Sequence, residues 1–156
     1  MAAQSESIKG SFQADRGDKV VMRLLSGRTL KGTLTDFSPT SPRVKLDLSD
    51  KKDRMEVSLN EVKAIFFVKT FTGNKDYHEK RKFGLAPGKG RRIMVRFKDG
   101  EILLGLSDAV IPKEGGSLAA LAEGEEKGIV LYPADPDSNN MEVFVVLSSL
   151  IDIRYL

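Results

Sequence analysis

Hydrophobic and polar residues alternate along most of the chain with the period of two that is typical of β-strands. In residues 93–98 the odd positions hold Ile, Val and Phe, whereas the even positions hold Met, Arg and Lys. The Asp99-Gly100 pair that follows favours a tight hairpin, because glycine adopts the positive φ angles of such turns without strain. The pattern therefore predicts short antiparallel strands, each with one buried face.

This strand pattern occurs twice along the chain, which indicates an internal repeat. Residues 20–32 align with residues 93–105 at a constant offset of 73, so that apolar positions and one arginine from each segment coincide. Residues 57–67 align with residues 145–155 at an offset of 88. The larger second offset predicts an extra loop in the second copy.

Each copy is predicted to contain five strands, with a single helical turn before the fifth. That turn corresponds to residues 59–62 in the first copy and 147–150 in the second. Gly32 and Gly105 lie inside the second strand of each copy, where glycine is typical of the sharp bend that closes a small barrel. In the second copy, residues 117–124 are predicted to form a short additional helix.

These elements predict an all-β fold of two tandem five-stranded small barrels packed together, with a short helical excursion in the second. The expected segments are a disordered tail over 1–17, a first barrel over 18–71, a basic connection over 72–90 that contains Gly and Pro, and a second barrel over 91–156. The alternative is a single large sandwich that contains all the strands.

The two copies are expected to lean on each other, because domains of about 60 residues are marginally stable alone. Residues 64–68 form a strand that is apolar on both faces, unlike its counterpart in the second copy. We therefore expect the outer face of Phe66 to be covered by the second copy or by another subunit. Val21 and Leu25 are candidates for the same interface.

Charge is distributed unevenly, although the formal net charge is only +3. Residues 75–92 carry seven basic and two acidic side chains, whereas residues 99–156 carry eleven acidic and three basic ones. An oriented field of this kind steers charged partners to one end of a molecule. The chain has no apolar run long enough for a secretory signal or a membrane span, so a cytoplasmic location without membrane contact is predicted.

The basic segment is the main candidate for binding anions or nucleic acid, because phosphate contacts dominate nucleic-acid affinity. Aromatic side chains within the same segment are candidates for stacking on bases. A solvated linker is the competing interpretation. The candidate phosphate-binding residues are Lys80, Arg81, Lys82, Lys89, Arg91 and Arg92, and the candidate stacking residues are Tyr77 and Phe83.

The composition excludes several kinds of chemistry. Without cysteine and with one histidine, the chain has no disulfide, no thiolate zinc site and no recognisable His-based catalytic triad. Residues 84–90 depart from the phosphate-binding loop in spacing and lack its hydroxyl. Residues 135–140 resemble the start of a calcium loop, but Asn140 replaces its glycine and Val146 its terminal glutamate. We predict a protein that is not an enzyme, with no cofactor and no metal.

Several strings resemble known families. The glycine-bent second strand and the closing helical turn resemble Sm-like small barrels. Most of the chain also looks like an uncharacterised bacterial family that is sometimes encoded beside PilZ signalling domains or fused to them. The strings that carry the second resemblance are FFVK at 66–69 with Gly73, FKDGE at 97–101, YPADPDSNN at 132–140 and VFVV at 143–146.

The PilZ association implies a test for cyclic di-GMP binding, which in that family needs Arg-x-x-x-Arg and Asp-x-Ser-x-x-Gly. Arg92 and Arg96 match the first spacing. Residues 36–38 begin the second motif, but Ser41 stands where its glycine belongs, and the two motifs occur in reverse order. Cyclic di-GMP is therefore the weakest of the ligands that the sequence suggests.

Two hypotheses of different classes follow. In the first, the chain is a non-catalytic interaction or adaptor module that presents sheet edges and an acidic C-terminal half to a protein, in keeping with bacterial signalling. In the second, it is an Sm-like RNA-binding protein that uses residues 80–92. A cyclic di-GMP-related regulator is the third alternative, and the sequence leaves homo-oligomerisation open.

Overall fold

The computed structural model describes residues 18–49, 53–71, 90–111, 117–133 and 140–156. Ten strands dominate this part of the chain, together with one short α-helix, α1, over Ser117–Ala122, and 3₁₀ turns over Leu59–Glu61 and Leu147–Ser149. The strands are β1 Lys19–Leu24, β2 Thr29–Asp36, β3 Arg43–Leu48, β4 Arg54–Ser58, β5 Val62–Val68, β6 Arg91–Phe97, β7 Ile102–Ser107, β8 Gly128–Leu131, β9 Asn140–Val146 and β10 Leu150–Tyr155.

The strands form two antiparallel sheets. The larger sheet has seven strands in the order β4-β3-β2-β1-β5-β9-β8, and the smaller has three in the order β10-β6-β7. An isolated bridge between Leu106 and Tyr132 connects β7 to the residue that follows β8. With this bridge included, the second repeat follows the strand order of the first, with β6 to β10 in the places of β1 to β5.

The pairing registers repeat at the offsets seen in the sequence. Val20 lies opposite Gly32 and Phe67 on its two neighbouring strands. Ile93 lies opposite Gly105 and Tyr155 in the same way, which reproduces the offsets of 73 and 88. The hairpin turns also match, since Gly27 and Gly100 adopt φ angles of 96° and 94°. The two repeats thus share their internal pairing.

The all-β class is confirmed, but the structure differs from two self-contained five-stranded barrels. In the described part of the chain, neither sheet closes on itself. Strand β5 of the first repeat pairs with β9 of the second, from Ala64 opposite Val145 to Val68 opposite Asn140. This pairing draws β8 and β9 into the larger sheet, and the second repeat is divided between the two sheets.

The strands enclose two hydrophobic cores, which share the β5–β9 strand pair as a common wall. The first core, built mainly from β1 to β5, also receives Phe144 and Val146 from β9. The second core lies between the strands of the second repeat and also receives Ala64 and Phe66 from β5. A single-core sandwich is therefore not the architecture of this protein. In α1, Leu118 and Leu121 pack against the second core.

The three residues predicted to lie at the interface between repeats differ in how far they are buried. Phe66 packs against the second core, where the second repeat covers it. Val21 is half-buried and lies opposite Phe66 across the β1–β5 ladder. Leu25 is 46% exposed, so within a single chain its side chain is only partly covered. Its backbone N–H instead donates to the carbonyl of Glu61.

Gly32 permits a close approach between β2 and β3. A Cβ atom at this position would lie 2.3 Å from the carbonyl oxygen of Asp47, which is far inside van der Waals contact. The sequence pattern attributed this glycine to a strand bend, and the structure shows that a neighbouring backbone also requires it. Among the described residues, no helix has the length and apolar character needed to cross a membrane.

The shared wall predicts that the two repeats unfold as one unit. Phe144 is fully buried and meets the ring of Phe37 edge-on, with ring centroids 4.9 Å apart. Replacing Phe144→Ala leaves a cavity between the repeats and should cost about 3–5 kcal/mol of unfolding free energy. Urea unfolding followed by circular dichroism measures this change, and hydrogen exchange should show β1 and β6 losing protection together.

The matched control is Met141→Ala on the same strand, because Met141 is 44% exposed. It should change stability by less than about 1 kcal/mol. If Phe144→Ala lowered the protection of only one repeat, the wall would not couple the two cores.

Candidate binding surfaces

The structure describes only the last part of the predicted basic site. Arg91 and Arg92 begin β6, and both are exposed. The other predicted phosphate-binding and stacking residues lie outside the described residues; they are Lys80, Arg81, Lys82, Lys89, Tyr77 and Phe83. Neighbouring residues of a strand point to opposite faces, so Arg91 and Arg92 cannot act on the same ligand face of β6.

Arg91 is held against the end of β10. Its guanidinium carbon lies 3.9 Å from the centroid of the Tyr155 ring, a distance typical of a cation–π contact. The Tyr155 hydroxyl oxygen in turn accepts a hydrogen bond of 2.9 Å from the backbone N–H of Ile111. Arg91 therefore helps to fix the chain terminus, whereas Arg92 faces the outside of the sheet.

The smaller sheet carries an exposed surface of mixed basic and apolar character, which we call the outer face. Its members are Arg92, Met94 and Arg96 on β6, Ile102 and Leu104 on β7, and Asp152 and Arg154 on β10. The register brings them together: Arg96 lies opposite both Ile102 and Asp152, and Met94 lies opposite both Leu104 and Arg154.

Electrostatically, the outer face is positive. It carries three arginines and one carboxylate, that of Asp152. This carboxylate accepts hydrogen bonds of 3.0 and 2.5 Å from the Arg154 guanidinium. Ile102 is 40% exposed, and Met94 and Leu104 are half-buried. Sequence alternation placed Met94 and Arg96 on the outward side of their strand. It missed the outer face as a whole, because the residues from β7 and β10 join it only through the strand register.

A buried lysine links the two repeats. Lys63 is 5% exposed in an otherwise apolar strand, β5. Its ammonium donates to Asp99 Oδ2 at 2.7 Å and also to Glu101, both on the β6–β7 turn. It lies 4.7 Å from the centroid of the Phe97 ring, and Arg23 reaches Glu101 from β1 at 3.4 Å. We call these ion pairs the Lys63 clasp.

The clasp is a structural site, because each charge in it has a protein partner. The carboxylates of Asp99 and Glu101 and the Phe97 ring lower the cost of burying the Lys63 ammonium. Nearby, the hydroxyl of Ser149 lies 3.0 Å from the carbonyl oxygen of Lys63 and 2.6 Å from that of Val146. The sequence signal for the clasp was a lysine within the apolar run 62–68. Its partners lie more than thirty residues away along the chain, so the sequence does not identify them.

The weaker motif predictions gain no support from the geometry. Arg92 and Arg96 share one face of β6, separated by roughly 13 Å along the strand. Of the other cyclic di-GMP motif, Asp36 ends β2 in the first repeat and Phe37 is buried. Most of the calcium-like segment 135–140 lies outside the described residues. Among the described residues, no three His, Cys, Asp or Glu side chains are grouped to hold a metal.

One protein family matches the sequence over nearly the whole chain. Residues 16–156 match DUF6982, which is described as a family of unknown function. The match spans both repeats and the segment between them. No curated protein matches the sequence.

The clasp predicts a specific dependence of stability on pH. Hydrogen bonding to the Lys63 ammonium lowers the pKa of Asp99 below its ordinary value of 3.8, and the backbone N–H of Glu101 acts in the same direction. Because the folded pKa lies below the unfolded one, this carboxylate stabilises the fold above pH 3.8. That contribution is lost as the pH falls through the lowered value.

Asp99→Asn should therefore lower the urea midpoint at pH 7, and the difference from the wild type should shrink as the pH is lowered from 4 to 2. Asp47→Asn is the matched control, because Asp47 pairs with Arg54 at 3.0 Å in an exposed ion pair, which contributes little. A difference between Asp99→Asn and the wild type that stayed constant from pH 7 to pH 2 would contradict this account.

Proposed function

The chain belongs to DUF6982, a family of unknown function, and we propose that it is a non-catalytic interaction module that binds a protein through the outer face of its smaller sheet. The observation that carries the proposal is the composition of that face. Arginine and methionine are enriched at protein interfaces, while lysine and glutamate are depleted. The face combines three arginines with exposed or half-buried Met94, Ile102 and Leu104.

The charge of the outer face indicates the chemistry of the partner. Its three arginines exceed its one carboxylate by two charges, so an acidic protein surface complements it. Arginine also provides several planar donors that bind carboxylates in pairs. We infer that the partner presents Asp or Glu side chains around an apolar centre that covers Ile102 and Met94.

We also propose that each repeat is an Sm-like unit and that the module serves bacterial signalling. Supporting the first point, the strand order of the first repeat is β4-β3-β2-β1-β5, and a 3₁₀ turn precedes the last strand of each repeat. The second point follows from the sequence resemblance alone, and we keep a cytoplasmic location as part of the same proposal.

A pull-down with a charge-reversed outer face tests the main proposal. Immobilised wild-type protein should retain a partner from native cell extract after nuclease treatment. Arg96→Glu should lose that partner at least tenfold, because it places a carboxylate between Ile102 and Asp152, where the proposed partner presents its own carboxylates. Quantitative mass spectrometry of the retained proteins measures the change.

Lys45→Glu is the matched control, since Lys45 is likewise an exposed cation within a strand but lies on β3 of the first repeat. It should retain the partner as the wild type does. Equal retention by Arg96→Glu, or loss of all partners after nuclease treatment, would refute protein binding at the outer face.

RNA binding is the second candidate, favoured by the position of Arg92. This residue joins the basic segment 75–92 to the outer face, where Arg96 continues the positive charge along β6. RNA bound along β6 would meet Arg92 and Arg96 with its phosphates, and the other cations of the basic segment lie outside the described residues.

A salt titration with single-stranded RNA separates the two candidates. Replacing Lys80, Arg81, Lys82 and Arg92 together by Gln should reduce the slope of log affinity against log salt by about 3, at roughly 0.7 for each lost phosphate contact. Arg91 is left in place, because its contact with Tyr155 is structural. No measurable RNA binding by the wild type at low salt would eliminate this candidate.

A further inference from the structure

The β5–β9 pairing is a junction between the two repeats. The strands equivalent to these two in the other repeat lie at the outer edges of the two sheets. By the repeat offset of 88, β10 takes the place of β5 and β4 takes the place of β9. Among the described residues, β10 pairs only with β6 and β4 only with β3. A second copy of the chain could in principle place its β4 beside β10 and continue the array head to tail.

We infer that the chain makes this junction only once, because charged side chains on its two outer strands stop further copies from joining in the same way. The residues responsible are Glu56 on β4 and Asp152 and Arg154 on β10. The inference concerns self-association and is independent of the partner proposed for the outer face.

The comparison on β4 begins with Phe144. On β9, Phe144 points from the junction into the core of the neighbouring repeat and contacts Phe37 there. The residue at the equivalent position of β4 is Glu56, which is paired with Arg43 at 3.2 Å. If β4 of a second copy lay beside β10, Glu56 would point into the second core. Burying this carboxylate in an apolar core, alone or with its Arg43 partner, would be strongly unfavourable.

The comparison on β10 gives the same result. On β5, Ala64 and Phe66 supply the apolar side chains that enter the core of the other repeat. Their equivalents on β10 are Asp152 and Arg154, which pair with each other at 2.5 Å. Pairing in the junction register would place both charges on the core side of a second copy's β4.

The clasp also has no counterpart at the outer edges. The position of Lys63 is taken by Ile151 on β10, which is 55% exposed. The positions of Asp99 and Glu101 are taken by Ser26 and Arg28 in the β1–β2 turn. A second junction would therefore lack the ion pairs that fix the first one.

One further equivalence identifies Glu56 as the principal obstacle. Val110 follows β7 at the position that Phe37 holds after β2, and Val110 is 83% exposed. At the internal junction Phe144 covers Phe37, so a phenylalanine at position 56 of a second copy would cover Val110. The chain presents a glutamate there instead.

Two variants test the inference, one with an apolar β4 edge and the other with an apolar β10 edge. In the first, Glu56→Phe with Ser58→Val gives β4 the side chains of β9. In the second, Asp152→Ala with Arg154→Phe gives β10 the side chains of β5. Each variant retains one charged edge, so each should remain monomeric alone, as should the wild type. An equimolar mixture should form a heterodimer with twice the mass of one chain and nothing larger.

Light scattering after size-exclusion chromatography measures the mass, and hydrogen exchange locates the contact. In the mixture, the backbone amides of β4 in the first variant and of β10 in the second should become more protected than in either variant alone. Circular dichroism confirms that both variants are folded.

Three results would overturn the inference. They are self-association of the wild type through β4 and β10, a mixture of folded variants that stays monomeric, and association of either variant alone to the same extent as the mixture. The last result would show general apolar adhesion instead of strand pairing.

Discussion

The structure depends on one constraint: residues 64–67 of β5 and 143–146 of β9 are apolar on both faces, and both faces must be covered. Ile65 and Phe144 face one core, while Ala64 and Val145 face the other. Each repeat therefore completes the core of its neighbour. Small domains bury too little surface to be stable alone, and this arrangement gives two small units the burial of a larger one.

Apolar burial alone does not determine how two such strands align, since neighbouring registers cover similar areas. The Lys63 clasp supplies the missing specificity. A buried ammonium has a large desolvation cost and tolerates few positions, so the register that brings Lys63 to Asp99 and Glu101 is favoured over its alternatives. Burial thus provides the free energy of the junction, and the clasp selects its geometry.

Much of the fold could be predicted from the sequence, because its causes are local. The period-two alternation, the turn glycines and the two offsets indicated the strands and the internal repeat, and the apolar run 64–68 indicated that Phe66 is covered. The pairing of β5 with β9 was not predictable in this way, because it depends on which distant strand meets an apolar edge. For the same reason the partners of Lys63 could not be predicted, and the outer face could not be identified before β7, β6 and β10 were placed side by side.

The two repeats use equivalent positions for different purposes, which links the fold to the proposed function. Arg23 and Arg96 occupy the same place in the repeat. Arg23 reaches Glu101 and supports the junction, whereas Arg96 is exposed on the outer face between Ile102 and Asp152. The internal junction covers this surface in the first repeat and leaves the equivalent surface of the second repeat exposed. Duplication within one chain therefore yields a buried interface and an exposed surface from the same strand pattern, and we propose that the exposed surface is the one that binds a different partner.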